Sequence, residues 1–235
     1  ALGALANLAV LDTNMGDMLD RPDLVDLLVR TATTSHGEAP EVKRRALMVL
    51  SLLATEIRLI DKSPQLLDVL VHMIAAGEES VGVREMSARV LSNACDAQPS
   101  TANLAAKPGL LPLLVSQGES GETDILKWFI FRSLATVARH NSKETFHADG
   151  VTTMLLRVVR SRNAAPFIGM AWRVVRMLAV ALDLKTPMAR LPGFPEAVVD
   201  GLRNENPATR WRALSALVKV TSSMEASRFV DTPEV

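Results

Sequence analysis

Apolar residues return along this chain in blocks of helical spacing, separated by short polar breaks. In RRALMVLSLLA, which begins at Arg44, the residues Ala46, Leu47, Leu50, Leu53 and Ala54 follow each other at i, i+1, i+4, i+7 and i+8. That spacing puts apolar side chains on one face of an α-helix. Similar blocks recur as ALANLAV around Leu5, VLSLLAT around Leu50, VLSNACD around Leu91, SLATVAR around Leu134, MLAVALD around Leu178 and ALSALVK around Leu214. The intervals between these anchor leucines are 45, 41, 43, 44 and 36 residues. A second, shorter apolar helix is predicted between anchors: DLVDLLVRT, QLLDVLVHMI, GLLPLLVSQ, GVTTMLLRVV and FPEAVVDGL. Breaker clusters follow it in each case: SHGEAPE, AGEESVG, QGESGET, SRNAAP and RNENP.

Ahead of some copies lies a further short helical stretch, clearest in PSTANLAAKPG and SKETFHADG. Each unit therefore reads as short helix, helix, loop, long helix. One such unit cannot bury its own apolar face, so neighbours must stack to make a continuous core. The expectation is an all-α chain, more than about 65% helical and without sheet, forming one elongated domain over residues 1–235. The stretch AAKPGLLPLLVSQGESGETDILKWFIFRSLATVA resembles an armadillo repeat, with a short first helix, Gly-Leu-Leu-Pro-Leu-Leu, a loop and a third helix ending in Leu-Ala. VREMSARVLSNAC carries the Leu-Ser-Asn signature of that third helix, and ENPATRWRALSALV is closer to HEAT. This resemblance to armadillo/HEAT-type repeats implies a right-handed α–α superhelix (solenoid) of about five to six stacked repeats. Ala1 falls inside a predicted helix, ALGALANLAVL, so a further repeat or cap is expected ahead of it.

The long third helices repay reading as a wheel. With the Asn of Leu-Ser-Asn as position zero, zero is Asn7, Leu52, Asn93, Thr136, Val180 and Ala216. The recurrent apolar positions −6, −5, −2, +1 and +2 cluster on one arc, and position −4 falls beside zero, opposite that arc. Position −4 holds Met48, Arg89, Arg132, Arg176 and Arg212. In the armadillo family the third helices line the concave groove, and an Asn at zero with a Trp at −4 holds extended peptides in importin-alpha. Here that Asn stands only at Asn7 and Asn93, and no Trp stands at −4, so nuclear import is not carried over. What the resemblance and the wheel imply together is a concave partner-binding row of Arg89, Asn93, Arg132, Thr136, Arg176 and Arg212. Arginine suits such a row because its planar fork binds carboxylates bidentately while staying charged. A second basic column, Lys43, Arg84 and Lys127 at −9, points toward neighbouring helices and reads as structural.

Composition narrows the functional classes. Hydrophobic residues make up 48% and aromatics 4%, with no tyrosine, so Leu, Val and Ala must fill a folded core. Lys+Arg and Asp+Glu are both 26, so no global field draws in nucleic acid or membrane. No apolar run reaches the length of a membrane span. The single cysteine, Cys95, excludes a disulfide framework and points to a reducing interior, cytoplasmic or organellar. It reads as a small buried hydrophobe.

Chemistry is mostly missing. His36, His72, His140 and His147 show no metal-ligand spacing with one another or with Cys95. GESGET lacks the Gly-Lys-Ser/Thr ending of a P-loop. No Gly-x-Ser-x-Gly elbow is present. Asp23, Glu41 and Asp124 sit where helix starts want acids. Trp128, Trp172 and Trp211 lie on third helices and read as packing aromatics. No catalytic residue, metal or cofactor is expected. The reading is a non-catalytic scaffold or adaptor that holds a protein partner, an acidic or extended segment. The alternatives are a permanent structural subunit of a large, organellar or other, complex and an RNA-binding helical repeat. Net neutrality and few aromatics weigh against RNA.

Overall fold

In the computed structural model the residues described are 2–9, 12–34, 39–56, 58–98, 104–161 and 165–222. Among these the structure is helical throughout, with no strand. The chain divides into two compact units, residues 1–102 with 108–113, and residues 103–107 with 114–235.

The first unit holds α1 (Leu2–Ala9), α2 (Asp12–Leu19), α3 (Pro22–Thr33), α4 (Pro40–Leu53), α5 (Arg58–Lys62), α6 (Leu66–Ala75) and α7 (Val81–Ala97). Here α1, the described part of the first third helix, packs on α4 and α4 on α7, with α3 and α6 behind α4 and α7. The division between units falls within α8 (Leu110–Ser120). The second unit continues with α9 (Asp124–His140), α10 (Ser142–His147), α11 (Val151–Val159), α12 (Pro166–Leu178), α13 (Lys185–Ala189), α14 (Phe194–Leu202) and α15 (Pro207–Thr221). In it α9, α12 and α15 pack side by side as third helices, and α11 and α14 back α12 and α15. The predicted order of short helix, helix, loop and long helix is therefore present, with 3-10 turns at Leu104–Ala106 and Leu182–Leu184 serving in the short first position.

Local chemistry explains where these helices begin. Pro22, Pro40, Pro166, Pro195 and Pro207 occupy the first or second helical position, where the missing N–H would be unpaired anyway. Ser80 and Thr123 cap α7 and α9 by accepting from the Val83 and Leu126 amides. Gly109, Gly150 and Gly193, one in each of three successive repeats, have φ of 74°, 79° and 83°. Each reverses the chain between first and second helices, a left-handed conformation that costs glycine least.

The wheel survives well in four repeats. Ala46, Leu47, Leu50, Leu53 and Ala54 are all 0% exposed, as are Ser87, Ala88, Leu91, Ala94 and Cys95 on α7. Ile130, Phe131, Leu134, Val137 and Ala138 form the same arc on α9, and Val174, Val175 and Leu178 continue it on α12. The last repeat breaks the expectation. Leu214, read as a buried anchor, is 48% exposed, and the buried stripe of α15 is Thr209, Ala213, Ala216 and Val220. Taking Ala216 as the anchor shifts the register by two residues. The reason lies on α12. The Trp172 ring is fully buried, and a Cβ on Gly201 would stand 2.5 Å from it and 2.9 Å from the Ala213 Cβ. Trp172 fills the space a leucine on α15 would need, so alanines face it and Leu214 points away.

The basic column at −9 plays its structural part. Lys43 is buried on α4 and pairs with Glu79, ahead of α7 in the following repeat, at 2.7 Å. Lys127 lies 5.3 Å from the centroid of the Phe167 ring on α12. Arg84 is buried as well. Other ion pairs link successive repeats along first and second helices: Asp20 with Arg58, Glu119 with Arg157 at 3.0 Å, and Lys143 with Asp183 at 2.6 Å.

Candidate binding face of the third helices

The face opposite the apolar arc is accessible on each third helix. In the first unit it shows Glu41, Arg44, Arg45 and Met48 on α4 and Arg89 and Asn93 on α7. Charges here neutralise one another. Glu41 accepts from Arg44 and Arg45, both at 2.9 Å, and these hydrogen bonds pull its carboxyl pKa down to about 2. Asn93 donates from Nδ2 to the Ser51 carbonyl at 2.7 Å, which fastens α7 to α4. Its role here is at least partly structural. Arg89 beside it is half-buried.

The second unit is different. The Arg132 guanidinium lies 5.6 Å from the centroid of the Trp128 ring, one turn earlier on α9. The indole thus fixes the arginine over the helix by a cation–π contact. Arg176 is half-buried on α12, and Val180 beside it is 57% exposed. Among the described residues no carboxylate pairs with Arg89 or Arg176.

Two members of the predicted row change role. Thr136 is only 3% exposed and its hydroxyl donates back to the Arg132 carbonyl at 3.3 Å, so it is packed within the helix layer and offers a partner no surface. Arg212 belongs to a different position once the α15 register is set by Ala216. Its guanidinium lies against Gly169 of α12, so closely that a Cβ there would be 2.3 Å from its nearer nitrogen. It covers the first turn of α12, and Leu214 and Val218 take the −4 and zero positions of α15. Both are exposed, Val218 by 56%.

The third helices of the second unit also differ in charge from the chain as a whole. α9 carries Lys127, Arg132 and Arg139 against one acid, Asp124. α12 carries Arg173 and Arg176, and α15 carries Arg210, Arg212 and Lys219, neither with any acid. A chain of zero net charge therefore has third helices in its second unit that are strongly cationic, with the compensating acids elsewhere.

Cys95 is fully buried, and burial, with the nearby Asp96 charge, pushes its thiol pKa up to about 12. His72 and His147 are exposed, His140 is half-buried, and His36 lies outside the described residues. Among the described residues no group of three His, Cys, Asp or Glu is placed to hold a metal ion. No helix among them is long and apolar enough to cross a membrane. A hollow of about 580 Å³ beside α3, α4 and α6 is lined by Thr33, Lys43, Asp68, His72 and Glu79, and its cation is already paired with Glu79. Trp172 is a core residue as expected, Trp128 is half-buried under Arg132, and Trp211 is 66% exposed.

The architecture is that of an armadillo-like helical-repeat protein. An engineered protein of known crystal structure matches with a TM-score of 0.77 at 20% identity, over 93% of this chain and 88% of its own. A designed armadillo repeat protein in complex with the peptide (KR)4 matches with a TM-score of 0.76 at 17% identity, over 93% and 91%. A computationally designed armadillo repeat protein for modular peptide recognition gives 0.73 at 17% identity, with the same coverage. No family model and no curated protein matches the chain in sequence.

Proposed function

We propose that this chain is a non-catalytic scaffold, a single array of armadillo-like repeats that holds an acidic, extended protein segment on the accessible face of its third helices. The observation that carries this reading is the placement of Arg132 and Arg176 at matching positions on the adjacent helices α9 and α12. Few acids share those helices, and the Trp128 ring pre-positions the first arginine. Pre-positioning lowers the ordering cost of binding, and a guanidinium binds a carboxylate through charge-assisted, bidentate hydrogen bonds. Designed armadillo neighbours made for peptide recognition support a segment-holding role for this kind of face, and one of them is bound to the basic peptide (KR)4. The arginines here favour the opposite charge.

Selection of binding segments from a displayed peptide library tests this. The recovered segments should be net acidic, bind more weakly as salt rises, and lose more than about tenfold in affinity for the Arg132→Glu, Arg176→Glu double variant. The melting temperature of that variant should stay near the wild type. Segments without acidic bias, or equal binding to the double variant, would place the partner site elsewhere.

A second reading, a permanent subunit of a larger assembly, draws on Leu27 of α3 and Ile125 of α9, both more than half exposed. Large permanent interfaces are apolar, so this reading predicts aggregation of the isolated chain.

A further inference from the structure

The cationic face of the second unit does not continue unchanged to α15. At the two row positions where α9 shows Arg132, and where α12 and the turn after it show Arg176 and Val180, α15 shows Leu214 and Val218. Trp211, on the turn before Leu214, is exposed as well. Counting from the buried stripe of Thr209, Ala213, Ala216 and Val220, these three side chains point directly away from the core of α15. Leucine, valine and tryptophan grouped on one exposed helix face form an apolar patch of the kind that marks an interaction site. The patch adjoins the arginines, because α12 packs between α9 and α15. Arg212 seals the intervening Gly169 rather than extending the row of charges.

From this juxtaposition we infer that the second unit reads a two-part segment: acidic residues on Arg132 and Arg176, and an apolar anchor on Leu214, Val218 and Trp211. The inference rests on the scaffold reading above and adds to it the partner's second chemical feature and its spacing. Neighbouring packed helices lie about 9 Å apart. An extended segment advances about 3.3 Å per residue. About three residues therefore separate side chains that meet successive helices. The partner is an extended protein segment with an acid, a second acid about three residues on, and a large apolar residue about three residues beyond that. The charges supply steering and register, and the apolar residue supplies burial of a patch that water otherwise covers.

The test uses the full chain and labelled twelve-residue peptides read by fluorescence anisotropy. One peptide carries two aspartates three residues apart and a Leu-Leu pair three residues further. A second has the same features in reverse order, and a third replaces the leucines with serines. One of the two orders should bind at least about fivefold more tightly than the serine peptide. The Leu214→Ala, Val218→Ala double variant should erase that advantage and leave the serine peptide's affinity unchanged. If the leucines add nothing in either order, or the double variant keeps the full advantage, the apolar half of the inference is wrong while the acidic face stands. If no peptide binds and the serine peptide fails as well, the scaffold reading fails with it. If single-stranded RNA binds more tightly than every peptide and is lost in Arg176→Glu, the face reads phosphates and the inference is overturned.

Discussion

Leu134 and Leu214 occupy equivalent places in the repeated motif, in SLATVAR and ALSALVK, yet the first is 0% exposed and the second 48%. Truncating each to alanine separates motif from structure. Leu134 sits inside the arc formed by Ile130, Phe131, Val137 and Ala138, all fully buried. Its truncation removes three carbons from the core, a transfer loss of about 2.4 kcal/mol at about 0.8 kcal/mol each. A cavity that neighbouring helices only partly close adds to this, within the roughly 2–5 kcal/mol range for such changes. Leu214→Ala removes carbons that already face solvent and should stay within about 0.5 kcal/mol of the wild type. Urea unfolding followed by circular dichroism measures both, with midpoint and slope fitted separately because a repeat array can lose cooperativity. Equal losses at the two sites, or a larger loss at Leu214, would refute the register assigned to α15.

Other consequences follow from particular contacts. Gly201→Ala forces a Cβ into the Trp172 ring and should destabilise by about 1–3 kcal/mol in the same assay, whereas an ordinary exposed glycine-to-alanine change in a helix would stabilise. Glu79→Gln leaves the buried Lys43 ammonium without its carboxylate and should cost about 1.5–3 kcal/mol, the worth of a hydrogen bond to a charged group. With its pKa raised to about 12 in the fold, the Cys95 thiol should resist alkylation at pH 8 until the chain is denatured; rapid labelling of the native protein would contradict its burial. A raised thiol pKa stabilises the fold below the unfolded value of about 8.5 and is lost as pH rises toward 12, so Cys95→Ala should reduce alkaline destabilisation in that window.

Most of the fold was legible because stacking imposes one requirement on every repeat. The arc around Leu50, Leu91 and Leu134 has to be apolar wherever a third helix is buried against other helices, so the period and the buried positions appear together in the sequence. The turns at Gly109, Gly150 and Gly193, where the backbone adopts positive φ, lie outside the breaker clusters that the sequence marks. The last repeat was misread because Ala-Leu-Ser-Ala-Leu imitates the motif while the true stripe is built from Ala213 and Ala216. Their small size answers to Trp172 on another helix, and no local pattern on α15 carries that information. The candidate face was half legible. The wheel puts Arg132 and Arg176 opposite the apolar arc, and both lie outside the buried core, but it could not show that Thr136 is packed away, that Asn93 is tied to the Ser51 carbonyl, or that Arg212 lies against the bare backbone of Gly169. The Asn93 and Arg212 contacts join residues 42 and 43 positions apart. The imbalance of charge on α9, α12 and α15 was present in the sequence and was hidden by averaging over the whole chain.

The central claim is that a segment lies across the third helices rather than on the second helices or loops. A photo-crosslinking residue in place of Val180, exposed beside Arg176 on α12, addresses it, with a control at Arg157, an exposed position on the second helix α11. On irradiation with the acidic–apolar peptide, crosslinks should form from position 180, fall with added salt, and be lost in the Arg132→Glu, Arg176→Glu background. Crosslinking from position 157 with none from position 180 would contradict the account.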